Sequence, residues 1–477
     1  MGEEIQSSQF TQQDHERYRE YLLKETDRLR RYFETGRFEA HGGVAGFELE
    51  AWLIDSLYRP VSGNDEFLSR FNNPLASPEL ASFNIEVNGT PRQLEGHVFS
   101  AMHNELNETW QACQQTAGQM DARVVMTGIL PTVQNEDLNL ANMSRMERYR
   151  ALNREVVRTR RGKPIVLDIN GNEHLKLTHR DVMLESAATS FQIHLQMNPA
   201  ESVRLFNASI VLSAPLLAMS ANSPYLFGKD LWDETRIPLF EQSVPVGGFD
   251  GAKFGPIRRV TFGSGYVRHS LMEFFEENLQ HYPILLPVNL EHETQKFAHL
   301  RLHNGTIWRW NRPLVGFSDD GQVHLRLEQR VVPAGPTVVD EIANAAFFYG
   351  AVIALAEQEI PIESQLEFDK ARDNFYKTAQ LGLRATTCWA NDKQVPVREL
   401  ILKHLLPLSK LGLERLGVSN SDIRQYLDII QQRVESGANG ATWQRAWVKR
   451  HGRDMTDLAA AYVERQQTGE PVHTWTV

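Results

Sequence analysis

Alternating apolar and polar positions put four acidic residues inside strand patterns. In Gly46-Phe47-Glu48-Leu49-Glu50-Ala51-Trp52-Leu53-Ile54-Asp55, Glu48 and Glu50 point to one face while Phe47, Leu49 and Ala51 point to the other. Phe83-Asn84-Ile85-Glu86-Val87-Asn88 carries Glu86, and the run 323–332 carries Glu328. Before the first strand, Tyr18, Leu22, Leu29, Tyr32 and Phe33 fall near helical spacing and predict a helix over 13–37, broken by Gly42, Gly43 and Gly46. Helices are also predicted over 95–122, 144–161 and 202–218, and strands over 123–127 and 187–197. A stretch rich in Gly, Pro and aromatic residues, 220–265, reads as a long irregular loop, of the kind that carries function. Strands return at 307–310 and 323–332 around the turn Ser318-Asp319-Asp320-Gly321, and 338–467 reads as almost wholly helical. There is no internal repeat. The expected class is α+β, with a curved, mainly antiparallel sheet and helices on its outer face.

A lone glutamate on a strand is ordinarily a solvated side chain. Three strands aiming carboxylates at one place are different, because desolvated carboxylates need a positive partner. Oxygen donors of this type suit Mg2+, or Mn2+, and Mg2+ brings a nucleotide phosphate with it. Composition narrows the rest. The 477 residues carry 50 Lys+Arg against 60 Asp+Glu, a net charge of -10, which argues against a nucleic-acid or acidic-membrane partner. Two cysteines, Cys113 and Cys388, are too few for a disulfide framework or a thiolate metal site, and fit a reducing cytoplasm. No apolar run is expected to cross a membrane, and the start Met1-Gly2-Glu3-Glu4 is acidic rather than a signal peptide. Walker, dinucleotide-binding and HExxH patterns are absent, and Gly247-Gly248 and Gly263-Ser264-Gly265 are weak signals alone. A nucleotide site here would be built from a sheet and metals.

Taken in order, several segments resemble the glutamate–cysteine ligase family of plant and proteobacterial type, among the carboxylate–amine ligases of glutamine-synthetase-like fold. Gly46-Phe47-Glu48-Leu49-Glu50 is similar to the family's first Glu-x-Glu strand, and Ile85-Glu86-Val87-Asn88-Gly89-Thr90-Pro91 to its second. Arg180-Asp181-Val182-Met183-Leu184 with Thr189-Ser190-Phe191-Gln192-Ile193-His194-Leu195 resembles the strand that brings a polar ligand to the nucleotide side. Ser220-Ala221-Asn222-Ser223-Pro224, then Gly228-Lys229 and Arg236, is the most specific match. Thr261 to Val267, His303 to Arg312 and Leu327-Glu328-Gln329-Arg330 complete islands that cover roughly residues 40–335. Two departures stand out. Pro313-Leu314 follows Arg312 where the family usually has a Leu-Lys pair, and Trp308-Arg309-Trp310-Asn311 is unusually aromatic.

The resemblance implies ligation of the γ-carboxylate of glutamate to cysteine, using ATP through a γ-glutamyl phosphate. It implies metal ligands Glu48, Glu50, Glu86, His194 and Glu328, and catalytic arginines Arg330, Arg312 and Arg236. Arg330 would face the ATP phosphates, although a salt bridge to Glu328 is the plainer role for it. Arg309, Asn222, Ser223, Gln192 and Tyr266 would touch substrate or nucleotide; Arg309 and Arg312 are three apart and need not share a strand face. His194 in an apolar strand would otherwise be a satisfied core histidine. The implied layout is an N-terminal tail and helix (1–37), an ATP-dependent catalytic body (38–336) and a helical C-terminal region packed on it (337–477), with a homodimer left open. The two departures favour an alternative in which another amino acid or small amine replaces cysteine. A non-catalytic nucleotide-binding relative is the reading from another class, and the intact Glu and His set argues against it.

Overall fold

The computed structural model describes residues 5, 9–246 and 258–477, leaving aside the side chains of 291–293. Gly247-Gly248 and most of the first eight residues lie outside the described residues. The strands, in chain order, begin with β1 (Val44–Ile54), β2 (Ala76–Pro78), β3 (Asn84–Asn88), β4 (Arg92–Gln93) and β5 (Arg123–Val125). A hairpin follows, β6 (Ile165–Asn170) with β7 (His174–His179), then β8 (Phe191–Met197). Two-residue strands β9 (Tyr225–Leu226) and β10 (Lys229–Asp230) pair with each other, as do β11 (Val260–Thr261) and β12 (Trp308–Arg309). β13 (Asn311–Phe317), β14 (Val323–Gln329), β15 (Thr386–Trp389) and β16 (Lys393–Pro396) complete the set.

Eight of these form one sheet in the order β13-β14-β8-β1-β3-β2, with β4 and β5 also paired to β1. Every pairing in it is antiparallel. The expected turn closes β13 onto β14: the Gly321 N–H donates to the Ser318 carbonyl at 2.8 Å, and Gly321 sits at φ 82, where glycine has no steric penalty. Along β1, Phe47, Leu49 and Ala51 are buried on the apolar face, as alternation requires.

The helices are α1 (Gln12–Thr35), α2 (Asn64–Phe71), α3 (Val98–Gly118), α4 (Glu147–Thr159), α5 (Ser202–Ser220), α6 (Arg236–Ser243), α7 (Met272–His281) and α8 (Ala298–Gly305). They continue with α9 (Val338–Ala356), α10 (Phe368–Leu381), α11 (Val397–Leu400), α12 (Leu406–Arg415), α13 (Asn420–Ser436), α14 (Gly440–His451) and α15 (Met455–Gln467). By length and composition α5 and α9 are each apolar enough to cross a membrane, which corrects the expectation from the sequence. Both are buried in the core, α5 against β13 and β14 and α9 against β8. The Tyr349 hydroxyl on α9 lies 2.9 Å from the carbonyls of both Gly46 and His194, which ties the helix to two central strands.

α1 is docked rather than peripheral. Its Tyr18 hydroxyl donates to the His299 carbonyl at 2.6 Å, and its buried Glu25 accepts from the Leu300 N–H at 2.9 Å. Elements that depart from the sequence reading include α2, the β6–β7 hairpin, α6 inside the stretch read as irregular, α7 and α8 beyond it (α8 holding His303, where the resemblance implied a strand), and the β15–β16 hairpin within the region read as helical. One contiguous apolar core runs from Tyr18 to Trp475, so the body and the C-terminal helices share it.

Candidate active site

Strand register brings the acidic residues together. Arg312 is opposite Glu328 between β13 and β14, and Glu328 is opposite His194 between β14 and β8. Glu48 is opposite Gln192 between β8 and β1; Glu50 is opposite Glu86 between β1 and β3; Ser77 of β2 is opposite Glu86. Directly opposed residues share a face, and so do residues two apart on one strand. A single polar row therefore crosses six strands, on the side opposite Phe47, Leu49 and Ala51.

The row gathers into two clusters. Glu48, His194 and Glu328 form one; Glu50, Glu79 and Glu86 form the other, with one donor atom from each residue within 4.8 Å of its companions. Glu79 has no strand alternation to announce it. It follows β2, and only the Ser77–Glu86 register, a pairing invisible in linear spacing, delivers it beside Glu86.

The electrostatics differ residue by residue. Burial, reinforced by the charges of Glu86 and Glu328, pushes the Glu48 carboxyl up to about 8. Burial raises Glu50 as well, and raises Glu79 strongly with help from the Glu86 and Glu50 charges. Burial also acts on Glu328, but Arg312 and Arg330 outweigh it and hold that carboxyl well below its ordinary value. Arg312 grips it with both prongs, Nε to Oε2 at 2.7 Å and Nη2 to Oε1 at 2.9 Å. Burial lowers His194 to about 3, so its imidazole is neutral, the form that ligates a metal.

Three buried atoms here have no hydrogen-bond partner among the described residues: Glu48 Oε2, Glu86 Oε2 and His194 Nε2. Orphaned donors of this kind, converging in two acidic groups, fit divalent cations. The all-oxygen cluster of Glu50, Glu79 and Glu86 has the donor chemistry of Mg2+. The cluster containing His194 also suits Mn2+.

Beside the clusters lies a cavity lined in part by Glu50, Glu79, Glu185, Arg236, Trp310 and Arg330. Arg330 Nη1 donates to Gln192 Oε1 and, at 3.2 Å, to Glu328 Oε2, so Arg330 both holds Glu328 and faces the cavity. Gln192 continues the relay, its Nε2 donating to Glu50 Oε1 at 2.9 Å. Arg236 opens α6, its Nε donating to Glu234 Oε1 at 3.2 Å and its other nitrogens to the carbonyls of Arg330 and Val331.

Other residues singled out from the sequence are committed to contacts within the protein. Arg312 spends Nη1 on the Gly305 carbonyl as well as its bidentate hold on Glu328. Arg309 is turned away, to Asn278 Oδ1 at 2.8 Å and Glu277 Oε1 at 3.1 Å, under Phe274 and Tyr282. Asn222 is fully buried and bonded to the Ala334 carbonyl and the Tyr462 hydroxyl, both at 2.8 Å. The Ser223 hydroxyl donates to Glu234 at 2.7 Å, so that loop reaches the cavity only by fixing the partner of Arg236. Tyr266 packs edge-on against Phe368, outside the cavity lining.

Comparisons with known proteins bear on the family and the fold. A Frankia alni protein that carries the name glutamate–cysteine ligase 2-3 is 23% identical over 248 residues, covering 50% of this chain and 25% of the relative. The chain thus matches about a quarter of that relative's length. Among solved structures, the glutamate–cysteine ligase of Francisella tularensis in complex with AMP superposes with a TM-score of 0.55 at 10% identity, covering 92% of this chain and 96% of that one. A bifunctional glutathione synthetase from Pasteurella multocida gives a TM-score of 0.51 at 12% identity, over 94% and 55%. These structures show the fold: a curled antiparallel sheet with helices, of glutamine-synthetase-like ligase type. The model of glutamate-cysteine ligase family 2 matches residues 44–470, and the chain belongs to that family.

Proposed function

We propose that this protein is an ATP- and Mg2+-dependent ligase that joins the γ-carboxylate of glutamate to an amine, with cysteine as the first acceptor to test. The observation that carries the reading is the pair of acidic clusters, with orphaned donors, around a cavity that also presents Arg236 and Arg330. An unactivated carboxylate resists amines, so it must first take a phosphoryl group from ATP, and catalysis of that transfer is mostly positioning and charge neutralisation. Divalent cations held by Glu48, His194 and Glu328, and by Glu50, Glu79 and Glu86, would neutralise phosphate charge there. Arg330 supplies fixed positive charge where the phosphoryl group transfers. Arg312 keeps Glu328 ionised and oriented, and Arg236 walls the cavity. The likeness to the Francisella tularensis ligase, solved with AMP, supports nucleotide use.

A second acceptor class is favoured by Trp310, whose ring lines the cavity while its Nε1 is tied to Glu241 Oε1 at 2.9 Å. This fixed aromatic wall suits an acceptor with an apolar face.

The test is phosphate release from ATP with Mg2+ and glutamate, screening cysteine against amino acids and small amines. Glutamate-dependent turnover is expected, and Glu48→Gln should lower it by at least about tenfold to a hundredfold, the cost of losing even a supporting partner of a metal ligand. Turnover indifferent to glutamate, or unharmed in that variant, would count against the ligase reading.

A further inference from the structure

The cavity holds one acidic side chain that neither cluster uses. Glu185 lies in the 3-10 turn Val182–Ala187, which Asp181 caps by accepting from the Met183 N–H at 3.0 Å. Val182, Met183, Leu184, Ser186 and Ala187 are all buried, anchoring the turn and leaving Glu185 on the cavity wall beside Ser190, Arg330 and Trp310. Its Oε2 is buried without a hydrogen-bond partner among the described residues. Burial pushes this carboxyl up to about 8; the Arg330 charge opposes the rise and the Glu50 charge adds to it. An unpaired acid in such a place keeps its proton until a ligand's cation favours the carboxylate.

Arg330 and Arg236 offer positive charge to anionic groups in the same cavity, and the clusters offer sites for metals. The group still lacking a counterpart in a ligase is the nitrogen that attacks. We propose, on the ligase reading above, that Glu185 holds the ammonium nitrogen of the acceptor and accepts the proton whose loss frees the lone pair that attacks. In that step the nitrogen forms a bond to the γ-carbonyl carbon and the bond from that carbon to the phosphate oxygen breaks. Phosphate leaves with the electron pair; of the two protons the ammonium loses on becoming an amide N–H, the first passes to Glu185 and then to water, which frees the lone pair for attack, and the second leaves with the departing phosphate. The acceptors selected are therefore amines that arrive as ammonium ions.

Hydroxylamine, which is uncharged at neutral pH, separates this role from the rest of the machinery. Wild type and Glu185→Gln are compared with hydroxylamine, L-cysteine and 1,4-diaminobutane as acceptors, glutamate being the donor throughout. The expected result is a preference for hydroxylamine over the ammonium acceptors that rises roughly tenfold or more in Glu185→Gln, the worth of a hydrogen bond to a charged group. Glu185→Asp should recover part of the loss, and thermal melting with Mg2+ and ADP checks that both variants fold. Equal loss with all acceptors together with a raised KM for glutamate would overturn the proposal, since Glu185 would then hold the donor. An unchanged preference, or a wild type that uses hydroxylamine alone, would overturn it too. A wild type inactive with every acceptor removes the ligase reading itself and this inference with it.

Discussion

Glu328 stays ionised in the core because Arg312 meets it with two hydrogen bonds and Arg330 with a third. Removing one partner of such a buried pair costs about 3–5 kcal/mol, since the other charge is left uncompensated. Glu48 is buried without a bidentate arginine, and its Oε2 has no hydrogen-bond partner among the described residues. Glu185 faces Arg330 and Glu50, with Glu79 and Arg236 also on the cavity wall, and here the pH dependence can be argued. Its folded value of about 8 lies above the ordinary 4.5, so the folded protein keeps a proton that the unfolded chain has released. The stability carried by that proton is complete below the unfolded value and is lost as pH rises through the folded one. Glu185→Gln mimics the protonated form at every pH. Its melting temperature should match the wild type's near about pH 4.5 and exceed it by a few degrees above about pH 8. A melting difference that does not change with pH would show that Glu185 titrates normally.

Elements decide how much of this the chain discloses. The Glu48–Glu50 and Glu328 strands are legible because alternation is a local property and their apolar neighbours mark the buried face. Glu79 is not legible, because strand pairing places it, and neither is Glu185, which sits in a short turn with no period. Arg309 and Arg312 look equivalent three residues apart, but the chain passes from β12 to β13 between them and turns only Arg312 toward the row. α6 went unseen in a Pro- and Gly-rich stretch; burial of Ile237, Leu239 and Phe240 in a core assembled from distant segments fixes it as a helix. Helix crossing is equally hidden. α9 and α12 approach so closely that a Cβ on Gly412 would lie 2.0 Å from the Gly350 carbonyl oxygen, and one on Gly350 would lie 2.2 Å from the Ser409 carbonyl oxygen. Alanine improves helix propensity by up to about 1 kcal/mol, but overpacking against backbone costs about 1–3 kcal/mol, so the clash should win. Gly412→Ala is therefore expected to destabilise the protein in urea unfolding. The displacement should also reach Tyr349, next to Gly350, and through its hydroxyl the strands bearing Glu48 and His194. A neutral or stabilised variant would mean the helices separate at no cost.

At the scale of the whole molecule, the boundary near residue 337 suggested by the sequence is crossed by several buried polar contacts. α9 belongs to the C-terminal segment, yet it covers the sheet from below. On α15, the Tyr462 hydroxyl accepts from Asn222 at 2.8 Å and donates to the Met126 carbonyl at 3.1 Å, and Gln466 Nε2 donates to that same carbonyl at 2.7 Å. Asn439 Nδ2 caps the chain onto the Ala218 carbonyl at 3.0 Å, at the end of α5. Without residues 337–477 these carbonyls and amides would be buried without partners or open to water, and the apolar faces of α5 and the sheet would lose their cover. A body of 38–336 alone should therefore lack fixed tertiary packing: weak near-ultraviolet circular dichroism, exposed apolar surface that binds hydrophobic dye, and rapid amide exchange in β1 and β8. The full chain should instead unfold with coincident transitions by far- and near-ultraviolet signals. A 38–336 fragment that gives a sharp near-ultraviolet spectrum and slow exchange in those strands would establish two independently folding units, and the C-terminal helices would then be an accessory to the site rather than part of its foundation.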